Sequence, residues 1–237
     1  MIDFISKLRM PYDLYERHAV VVKLLDLVVG RELHCQVLDV GGRSELSGWW
    51  TRFKVISLNI DGSGDVLGSG LVLPFVDNAF AAVVSIDTLE HIAPPMRTLF
   101  VRECMRVARW GVIIAVPFGS EEHRVCEVQL AEFYRSQLGK PHPYLEEHIR
   151  YGLPDVAELE SLCNAANAHH MRYWFAGNYM WPSRHLMQVA RASKERSLLA
   201  WLMNKVYYVF SRALFHPIHL ATQPYPRANR VYVLMEK

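Results

Sequence analysis

Several short segments of this chain are apolar at almost every position, and this feature narrows the available folds most. The predicted strands are Gln36–Val40, Lys54–Ile60, Ala81–Ile86, Val112–Val116, Met171–Ala176 and Arg230–Met235. Parallel strands are covered by helices on both faces, so their side chains do not alternate between apolar and polar. The pattern therefore predicts an α/β fold with a doubly wound, mostly parallel, Rossmann-like sheet.

Helical segments separate these strands, as a doubly wound sheet requires. The predicted helices are Asp13–Val29, Met96–Ala108, Val125–Leu138, Pro154–Ala168, Ser183–Ala192 and Ser197–Phe215. We expect Asp13 and Asp155 to cap the first and fourth of them, because an aspartate can accept hydrogen bonds from backbone N–H groups. The last strand, Arg230–Met235, is expected to pair antiparallel at the sheet edge, beside Met171–Ala176.

Composition excludes several classes of protein. The 237 residues are 51% hydrophobic and 21% charged, which is typical of a packed globular chain. A net charge of only +2 creates no strong field, so we expect no nucleic-acid partner. The cysteines form no CxxC pair, and neither a signal peptide nor a long uncharged apolar segment is recognisable, so we expect a cytoplasmic protein.

The first functional motif is VLDVGGRSE, in which a strand runs into a pair of glycines. Gly41 and Gly42 allow a sharp turn and let a ligand approach the backbone. N–H groups of the following helix can bind a carboxylate and Asp39 can receive an ammonium group, which together fit an amino acid joined to a nucleotide. A plain structural turn is the alternative. Because Arg43 and Leu46 stand where G-x-G-x-x-G needs glycine, a pyrophosphate-binding turn is disfavoured.

The end of the next strand predicts a ribose site. Asn59 and Asp61 lie about 20 residues beyond Asp39, where a polar or acidic side chain binds ribose hydroxyls in Rossmann-like folds. Asp61 also opens the sequence DGSG, so an ordinary turn aspartate is the alternative for this residue.

Four motifs in a fixed order resemble a known family. DVGG, LPFVDNAF, VVSIDTLEHI and RECMRVARWGVIIAVP, within Tyr12–Phe118, resemble the class I S-adenosylmethionine-dependent methyltransferases, in particular the small-molecule methyltransferase domain of the ubiquinone-biosynthesis type. The segment His142–Pro154 is similar to methyltransferases from bacterial surface-glycan clusters. The resemblance implies one domain over residues 1–237, a seven-stranded sheet with an antiparallel last strand, and helical insertions after strands five and six.

The resemblance also implies the cofactor, S-adenosylmethionine, and the residues that bind it. The cofactor residues it implies are Asp39, Gly41, Gly42 and Arg43 for the methionine end, Asn59 or Asp61 for the ribose, Ser69 and Gly70 for the adenine, and Asp87 for the boundary with the acceptor. Arg43, Asn59 and Ser69 depart from the family pattern, which has a glycine, an acid and an acid at these places. A non-catalytic descendant that keeps the fold is therefore an alternative to an enzyme.

Methyl transfer to a hydroxyl requires removal of one proton, and a histidine with a pKa near neutrality suits that task. His148, His142 and His91 are the candidate bases, and a packing or solvated histidine is the alternative for each. A metal site could be formed by His123, Glu127, His142 and His148, but their spacing matches no standard metal-binding signature, so we expect no metal site.

The predicted reaction is methyl transfer to a small-molecule hydroxyl, with a sugar or glycan intermediate as the first choice of acceptor. A quinone-like or other small metabolite is the second choice. Residues 1–30 are predicted to form a lid helix with Tyr12 and Tyr15 as cofactor contacts, and an ordinary packing helix is the alternative. Residues 118–153 and 178–229 are predicted to hold the acceptor.

The segment Ser197–Phe215 is amphipathic and rich in aromatic residues. It fits three roles: a helix that covers the core, a homodimer surface, or an interfacial contact with a membrane or a lipid carrier. All three roles stay open at the level of the sequence.

Overall fold

The computed structural model describes residues 11–30, 32, 34–47, 50–214 and 218–237. Its strands are β1 (Gln36–Val40), β2 (Lys54–Asn59), β3 (Val66–Leu67), β4 (Phe80–Ile86), β5 (Ala108–Pro117), β6 (His170–Ala176), β7 (Leu220–Ala221) and β8 (Arg230–Glu236). They form one sheet in the order β3-β2-β1-β4-β5-β8-β6-β7. Neighbours among β1 to β5 are parallel, whereas β8 is antiparallel to both of its neighbours. The mostly parallel α/β sheet with an antiparallel last strand is confirmed.

Two details of the predicted sheet are wrong. The described residues form an 8-stranded sheet rather than a seven-stranded one, because the short strand β7 extends it beyond β6. A two-residue strand leaves no periodicity in the sequence by which it could be recognised. The antiparallel strand β8 lies between β5 and β6 rather than at the edge. It is buried along nearly its whole length, and an interior position lets both of its edges form ladder hydrogen bonds.

The helices are α1 (Tyr12–Val29), α2 (Ser44–Ser47), α3 (Pro94–Val107), α4 (Glu121–Leu138), α5 (Pro143–Tyr151), α6 (Val156–Ala165), α7 (Met180–Glu195) and α8 (Leu198–Leu214), with a 3-10 helix at Leu89–His91. The predicted cap of α6 is confirmed, since the side chain of Asp155 accepts a hydrogen bond from the N–H of Glu158 (2.9 Å). The predicted cap of α1 is wrong. Asp13 lies inside the first turn, and Pro11 occupies the capping position.

Helix α5 was not predicted from the sequence. The helix has nine residues, little more than two turns, and only Leu145 among them is buried, so the segment provides no long apolar period. Its start is nevertheless favourable, because Pro143 occupies the first turn, where a fixed φ and a missing N–H cost nothing.

The apolar core forms two layers, one on each face of the sheet. In one layer α3 and α6 contribute Phe100 and Leu159, which are fully buried. In the other layer α1 contributes Val21 and Leu25, also fully buried. Each such side chain stabilises the fold by about 1.5–3 kcal/mol relative to an exposed one. Helices on both faces confirm the doubly wound arrangement.

The other long helices follow the carboxyl ends of β5 and β6, where insertions were expected. Helix α4 packs against α5 and α7, α5 packs against the 3-10 helix, and α8 packs against α7 and α1. Among the residues described, no helix is long and apolar enough to cross a membrane.

Candidate active site

The carboxyl ends of neighbouring parallel strands bring the predicted cofactor residues to one edge of the sheet. β1 pairs with β2 on one side and with β4 on the other, so the loops after these strands are adjacent. The N–H of Gly68 donates to the carbonyl of Asn59 (3.1 Å), which brings the loop after β3 to the same place. The predicted residues collected at this edge are Asp39, Gly41, Gly42, Arg43, Asn59, Asp61, Ser69, Gly70 and Asp87.

The turn at Gly41 and Gly42 can be built only from glycine. Gly41 has a φ of 85°, and a Cβ atom there would lie 2.0 Å from the hydroxyl oxygen of Thr88. A Cβ atom on Gly42 would lie 2.0 Å from a carboxylate oxygen of Asp39. The backbone of the turn therefore lies directly against these two side chains, and a larger residue at either position would displace them.

Asp39 is a buried carboxyl group with an unpaired oxygen. The residue is 2% exposed, and its Oδ1 atom has no hydrogen-bond partner among the described residues. Burial raises the pKa of this group from 3.8 to about 7. An unpaired buried carboxylate is costly, and a cationic ligand beside it would remove that cost.

Asn59 supports the glycine turn. Its side-chain amide donates hydrogen bonds to the carbonyls of Gly41 (2.9 Å) and Gly42 (3.2 Å). Asp61 is exposed and its carboxylate accepts a hydrogen bond from the N–H of Ser63 (2.8 Å), as a turn aspartate does. The ribose contact of Asn59 or Asp61 stays a prediction.

The remaining adenine and turn residues have ordinary local contacts. The hydroxyl of Ser69 accepts a hydrogen bond from the N–H of Leu71 (3.2 Å). A Cβ atom on Gly70 would lie 2.5 Å from the ring of Phe100, so this backbone is pressed against the core. Arg43 is exposed beside the turn.

Asp87 has both of its oxygens occupied by arginines. Arg230 donates to Oδ1 and to Oδ2 (2.8 Å each), and Arg17 donates to Oδ2. Burial alone would raise the pKa of Asp87, but the two guanidinium groups hold it well below its usual range. Asp87 thus links α1 and β8 to the end of β4. Its predicted contact with the cofactor would have to form while both oxygens also accept hydrogen bonds from the two arginines.

The three candidate bases, although distant in sequence, lie along one row of aromatic rings. The ring centroids of His91 and His148 are 4.9 Å apart, and those of His91 and Tyr144 are 5.3 Å apart. Tyr144 in turn lies 5.9 Å from His142. The row forms because α5, which carries Tyr144 and His148, packs against the 3-10 helix that carries His91.

Two of these histidines are oriented by glutamates. The Nδ1 atom of His91 lies 2.7 Å from a carboxylate oxygen of Glu147, and the Nδ1 atom of His148 lies 2.9 Å from one of Glu127. The Nε2 atom of His148 is buried and has no partner in the described part of the chain. Burial lowers the pKa of His148, but the hydrogen bond and charge of Glu127 outweigh it and raise the pKa above its usual value. Burial lowers the pKa of both His91 and His142.

Glu90 is the functional candidate that the sequence analysis missed. It is fully buried, and neither carboxylate oxygen has a hydrogen-bond partner within the described ranges. Burial, together with the negative charge of Asp87, raises its pKa from 4.5 to about 8. An acid next to His91 directly after a strand was the available signal, because the ends of parallel strands are where ligands bind. We call Glu90, His91, His148, Glu127 and Glu147 the histidine–glutamate cluster.

Arg97 connects the segments that carry this cluster. It is 1% exposed and donates to the carbonyl of Ile92 (3.0 Å), just after the 3-10 helix. It also donates to the carbonyl of Gly152 (2.8 Å), at the end of α5, and forms an ion pair with Glu158 (2.7 Å) of α6. The 3-10 helix and α5 are therefore attached to the same buried side chain.

Comparisons with known proteins bear on the domain and its fold. Residues 53–116 match the family model described as "Methyltransferase domain". A S-adenosylmethionine-dependent methyltransferase from Archaeoglobus fulgidus is similar with a TM-score of 0.55 and 15% identity, over 99% of this chain and 98% of that chain. The YcgJ protein of Bacillus subtilis is similar with a TM-score of 0.54 and 14% identity, over 93% and 99% of the two chains.

A third solved structure contains a ligand. Phosphoethanolamine N-methyltransferase 2 of Haemonchus contortus, in complex with S-adenosylmethionine, is similar with a TM-score of 0.52 and 14% identity, over 93% of this chain and 52% of that chain. No curated protein sequence matches significantly. At these identities the likeness shows that this chain shares the fold of these proteins.

Proposed function

We propose that this protein is an S-adenosylmethionine-dependent methyltransferase that acts on a hydroxyl group of a small molecule. The match to a methyltransferase domain and the fold shared with such enzymes support this cofactor. The observation that carries the proposal is Asp39, a buried carboxyl group with an unpaired oxygen beside a turn of two glycines.

The turn fits the amino-acid end of the cofactor. Oδ1 of Asp39 would accept a hydrogen bond from the ammonium group, which removes the cost of burying this oxygen unpaired. Gly41 and Gly42 keep the turn free of side chains, so that a ligand can approach its backbone. Ile60, the residue after Asn59, is 74% exposed and offers an apolar surface to the adenine ring of the cofactor. S-adenosylmethionine supplies a methyl group already activated by a positively charged sulfur.

We place the acceptor at the histidine–glutamate cluster. Thr88 connects this cluster to the turn, because its side chain lies against Gly41 and it directly precedes the 3-10 helix of Glu90 and His91. The imidazole and carboxylate groups there can exchange hydrogen bonds with several hydroxyls. This chemistry favours a sugar or glycan intermediate over a quinone-like acceptor, whose ring would need an apolar surface.

His148, His91 and His142 remain the three candidates for the base. Burial keeps His91 and His142 neutral at physiological pH, so both can accept a proton. The raised pKa of His148 makes it the stronger base in its neutral form. In steady-state assays, replacement of the true base by Asn should lower kcat about 100-fold or more and leave cofactor affinity unchanged.

Calorimetry tests the cofactor directly. We expect S-adenosylmethionine and its demethylated product, S-adenosylhomocysteine, to bind with micromolar affinity. Gly41→Val should abolish binding, because its Cβ atom would collide with Thr88. Gly139→Val is the matched control, since Gly139 also has a positive φ but a Cβ atom there would meet nothing within 4 Å. Absence of binding at millimolar ligand would overturn the proposal and favour the non-catalytic alternative.

Product analysis tests the acceptor. The protein is incubated with S-adenosylmethionine and either hydroxyl-rich sugar intermediates or phenolic quinone precursors, and the products are identified by mass. A methylated sugar supports the proposal, and a product formed only from the quinone precursors would overturn the choice of acceptor.

We further propose that α8 contacts an anionic membrane surface, as enzymes acting on lipid-linked glycans would require. Leu198, Leu199 and Met203 are 76%, 68% and 64% exposed. The cationic side chains Arg196 and Lys205 are exposed on the same segment, which is the combination that binds anionic lipid. Co-sedimentation with vesicles containing phosphatidylserine should be lost in the Leu198→Glu variant. If this substitution instead converts a dimer to a monomer, the surface is a dimer interface.

A further inference from the structure

We propose that Glu90, His91 and His148 bind a divalent transition-metal cation. This is the opposite of the expectation from sequence, which considered histidines and glutamates of one segment and did not include Glu90. The three residues come from two segments, the 3-10 helix after β4 and helix α5, which only the fold brings together.

The donor atoms lie close enough to share one ion. One ligand atom from each of the three residues lies within 4.8 Å of the other two. Metal–ligand bonds of about 2.0–2.2 Å in a tetrahedral site place the donor atoms roughly 3.5 Å apart. Small rotations of the side chains would therefore close the site around a cation, without movement of the backbone.

Glutamate carboxylates orient the rings of His91 and His148 as they would in a metal site. Metal-binding histidines usually engage the second ring nitrogen with a carboxylate, which fixes the ring and makes the first nitrogen a better donor. Here the Nδ1 atoms of His91 and His148 lie 2.7 Å and 2.9 Å from carboxylate oxygens of Glu147 and Glu127, respectively. Both Nε2 atoms are left as donors, and that of His148 is buried without a partner in the described residues.

Glu90 provides an independent observation. It is fully buried, and both oxygens lack a hydrogen-bond partner among the residues described, so no hydrogen bond joins it to either histidine. Arg230 forms its ion pair with Asp87 and donates no hydrogen bond to Glu90. A cation at this place would satisfy Glu90 and the Nε2 atom of His148 together.

The donor set indicates which ions fit. Two imidazoles and one carboxylate suit Zn²⁺, Fe²⁺, Co²⁺ and Mn²⁺, whereas Mg²⁺ and Ca²⁺ prefer oxygen ligands throughout. Three protein ligands leave at least one coordination position for water or an oxygen of a bound molecule. If the proposed methyltransferase function holds, an acceptor hydroxyl bound there would have a lowered pKa, and His142 would remain as the base.

The binding of metal alone tests this proposal and does not depend on the methyltransferase function. Chelator-treated protein is titrated with ZnCl₂ by calorimetry, and with CoCl₂ by visible absorption, which reports coordination geometry. We expect one site per chain. Glu90→Gln and His148→Asn should each weaken Zn²⁺ binding at least tenfold, and Glu127→Gln should weaken it about tenfold through the orientation of His148.

Matched controls separate this site from surface histidines and from misfolding. Glu160→Gln and His170→Asn change exposed residues of the same types and should leave Zn²⁺ affinity unchanged. Each variant is also titrated with S-adenosylhomocysteine, whose affinity should not change if the variant is folded. Lack of stoichiometric binding of both ions, or unchanged affinity in Glu90→Gln and His148→Asn, would overturn the metal site. If the wild-type protein binds Zn²⁺ but does not bind S-adenosylhomocysteine, the metal site stands and the proposed methyltransferase function is overturned.

Discussion

The loop after β4 contains two acidic residues, three positions apart, with opposite surroundings. Asp87 is held by Arg17 and Arg230, and these ion pairs keep its pKa below the usual range even though burial acts to raise it. Glu90 is fully buried with no partner for either oxygen in the described structure, and its pKa is raised to about 8. The paired acid stabilises the fold, whereas the unpaired one is available to bind a ligand.

The same contrast recurs at the end of β1 and β2. Asn59 uses its amide to support the backbone of the glycine turn, while the neighbouring carboxylate of Asp39 has an oxygen without a partner in the described chain. At both places a polar group that has its hydrogen-bond partners therefore lies beside one that lacks a partner. Unsatisfied buried groups are uncommon in folded proteins, so they mark candidate ligand positions.

The largest expected effect comes from the paired acid of the β4 loop. Asp87→Asn leaves the guanidinium groups of Arg17 and Arg230 without their shared counter-charge, and Arg230 is nearly buried. We expect the free energy of unfolding in urea to fall by about 3 kcal/mol. Asp26→Asn, which breaks an exposed pair with Arg52, should cost less than about 1 kcal/mol. Equal losses in the two variants would show that Asp87 is not a structural acid.

The second-largest effect is expected when Asp39 is replaced, and it should be a loss of affinity for the cofactor. Asp39→Asn removes the charge that would pair with the ammonium group, so the affinity for S-adenosylhomocysteine should fall about 10- to 100-fold at pH 8. Because the pKa of Asp39 is about 7, wild-type affinity should be constant above that pH and fall by up to tenfold per unit below it. Calorimetry between pH 5.5 and 8.5 measures both.

The stability of the ligand-free protein provides a second check on Asp39. Its pKa in the folded state lies above the unfolded value of 3.8, so the folded state binds the proton more tightly. This group therefore lowers the free energy of unfolding as the pH rises from about 4 to about 7, and contributes no further change above that. The wild type should show this loss relative to Asp39→Asn in urea titrations, and a gain would contradict the assignment.

A smaller effect is expected at Asn59, whose amide has its hydrogen-bond partners in the glycine turn beside Asp39. The family pattern has an acid at position 59, but a carboxylate cannot donate to the carbonyls of Gly41 and Gly42 as Asn59 does. We therefore expect Asn59→Asp to lower stability by about 1 kcal/mol and to weaken nucleoside binding. Tighter binding of S-adenosylhomocysteine by this variant would show that the ribose contact dominates over support of the turn.

The smallest loss of stability is expected at Glu90, and it completes the comparison with Asp87. Glu90→Gln removes a buried carboxyl group that has no hydrogen-bond partner to lose within the described residues. Because the pKa of Glu90 is raised from 4.5 to about 8, its ionisation lowers the free energy of unfolding as the pH rises between these values. In metal-free protein at pH 7.5 we therefore expect Glu90→Gln to be no less stable than the wild type, and to gain stability relative to it. Destabilisation as large as that of Asp87→Asn would mean that Glu90 has a structural partner.

Much of the sheet could be predicted because each long strand carries its own apolar run. The Gly41–Gly42 turn could also be predicted, since two glycines after a buried acid are a local signal. Strand β7 and helix α5 could not be predicted, because two residues have no period and the nine residues of α5 span too few turns to show one. The position of β8 inside the sheet depends on its pairing with β5 and β6, which its own sequence does not specify.

The candidate bases show the same division between local and tertiary information. His91, His142 and His148 could be selected from residue type and from their position after strands. Their assembly into one row could not, because it depends on how α5 packs against the 3-10 helix and on the buried side chain of Arg97. Glu90 was missed because nothing in the sequence shows that its carboxyl group is buried without a hydrogen-bond partner among the described residues.

The sequence by itself determined the α/β class, the strands of the doubly wound sheet and the glycine turn beside Asp39, because these follow from the period and identity of neighbouring residues. The tertiary structure alone decided which polar groups are paired. Asp87 meets Arg230 from the other end of the chain, whereas neither carboxylate oxygen of Glu90 has a hydrogen-bond partner in the structure described. Whether a buried polar or charged group is paired depends on its distance to other groups in space, and that distance is set by residues far apart in the sequence.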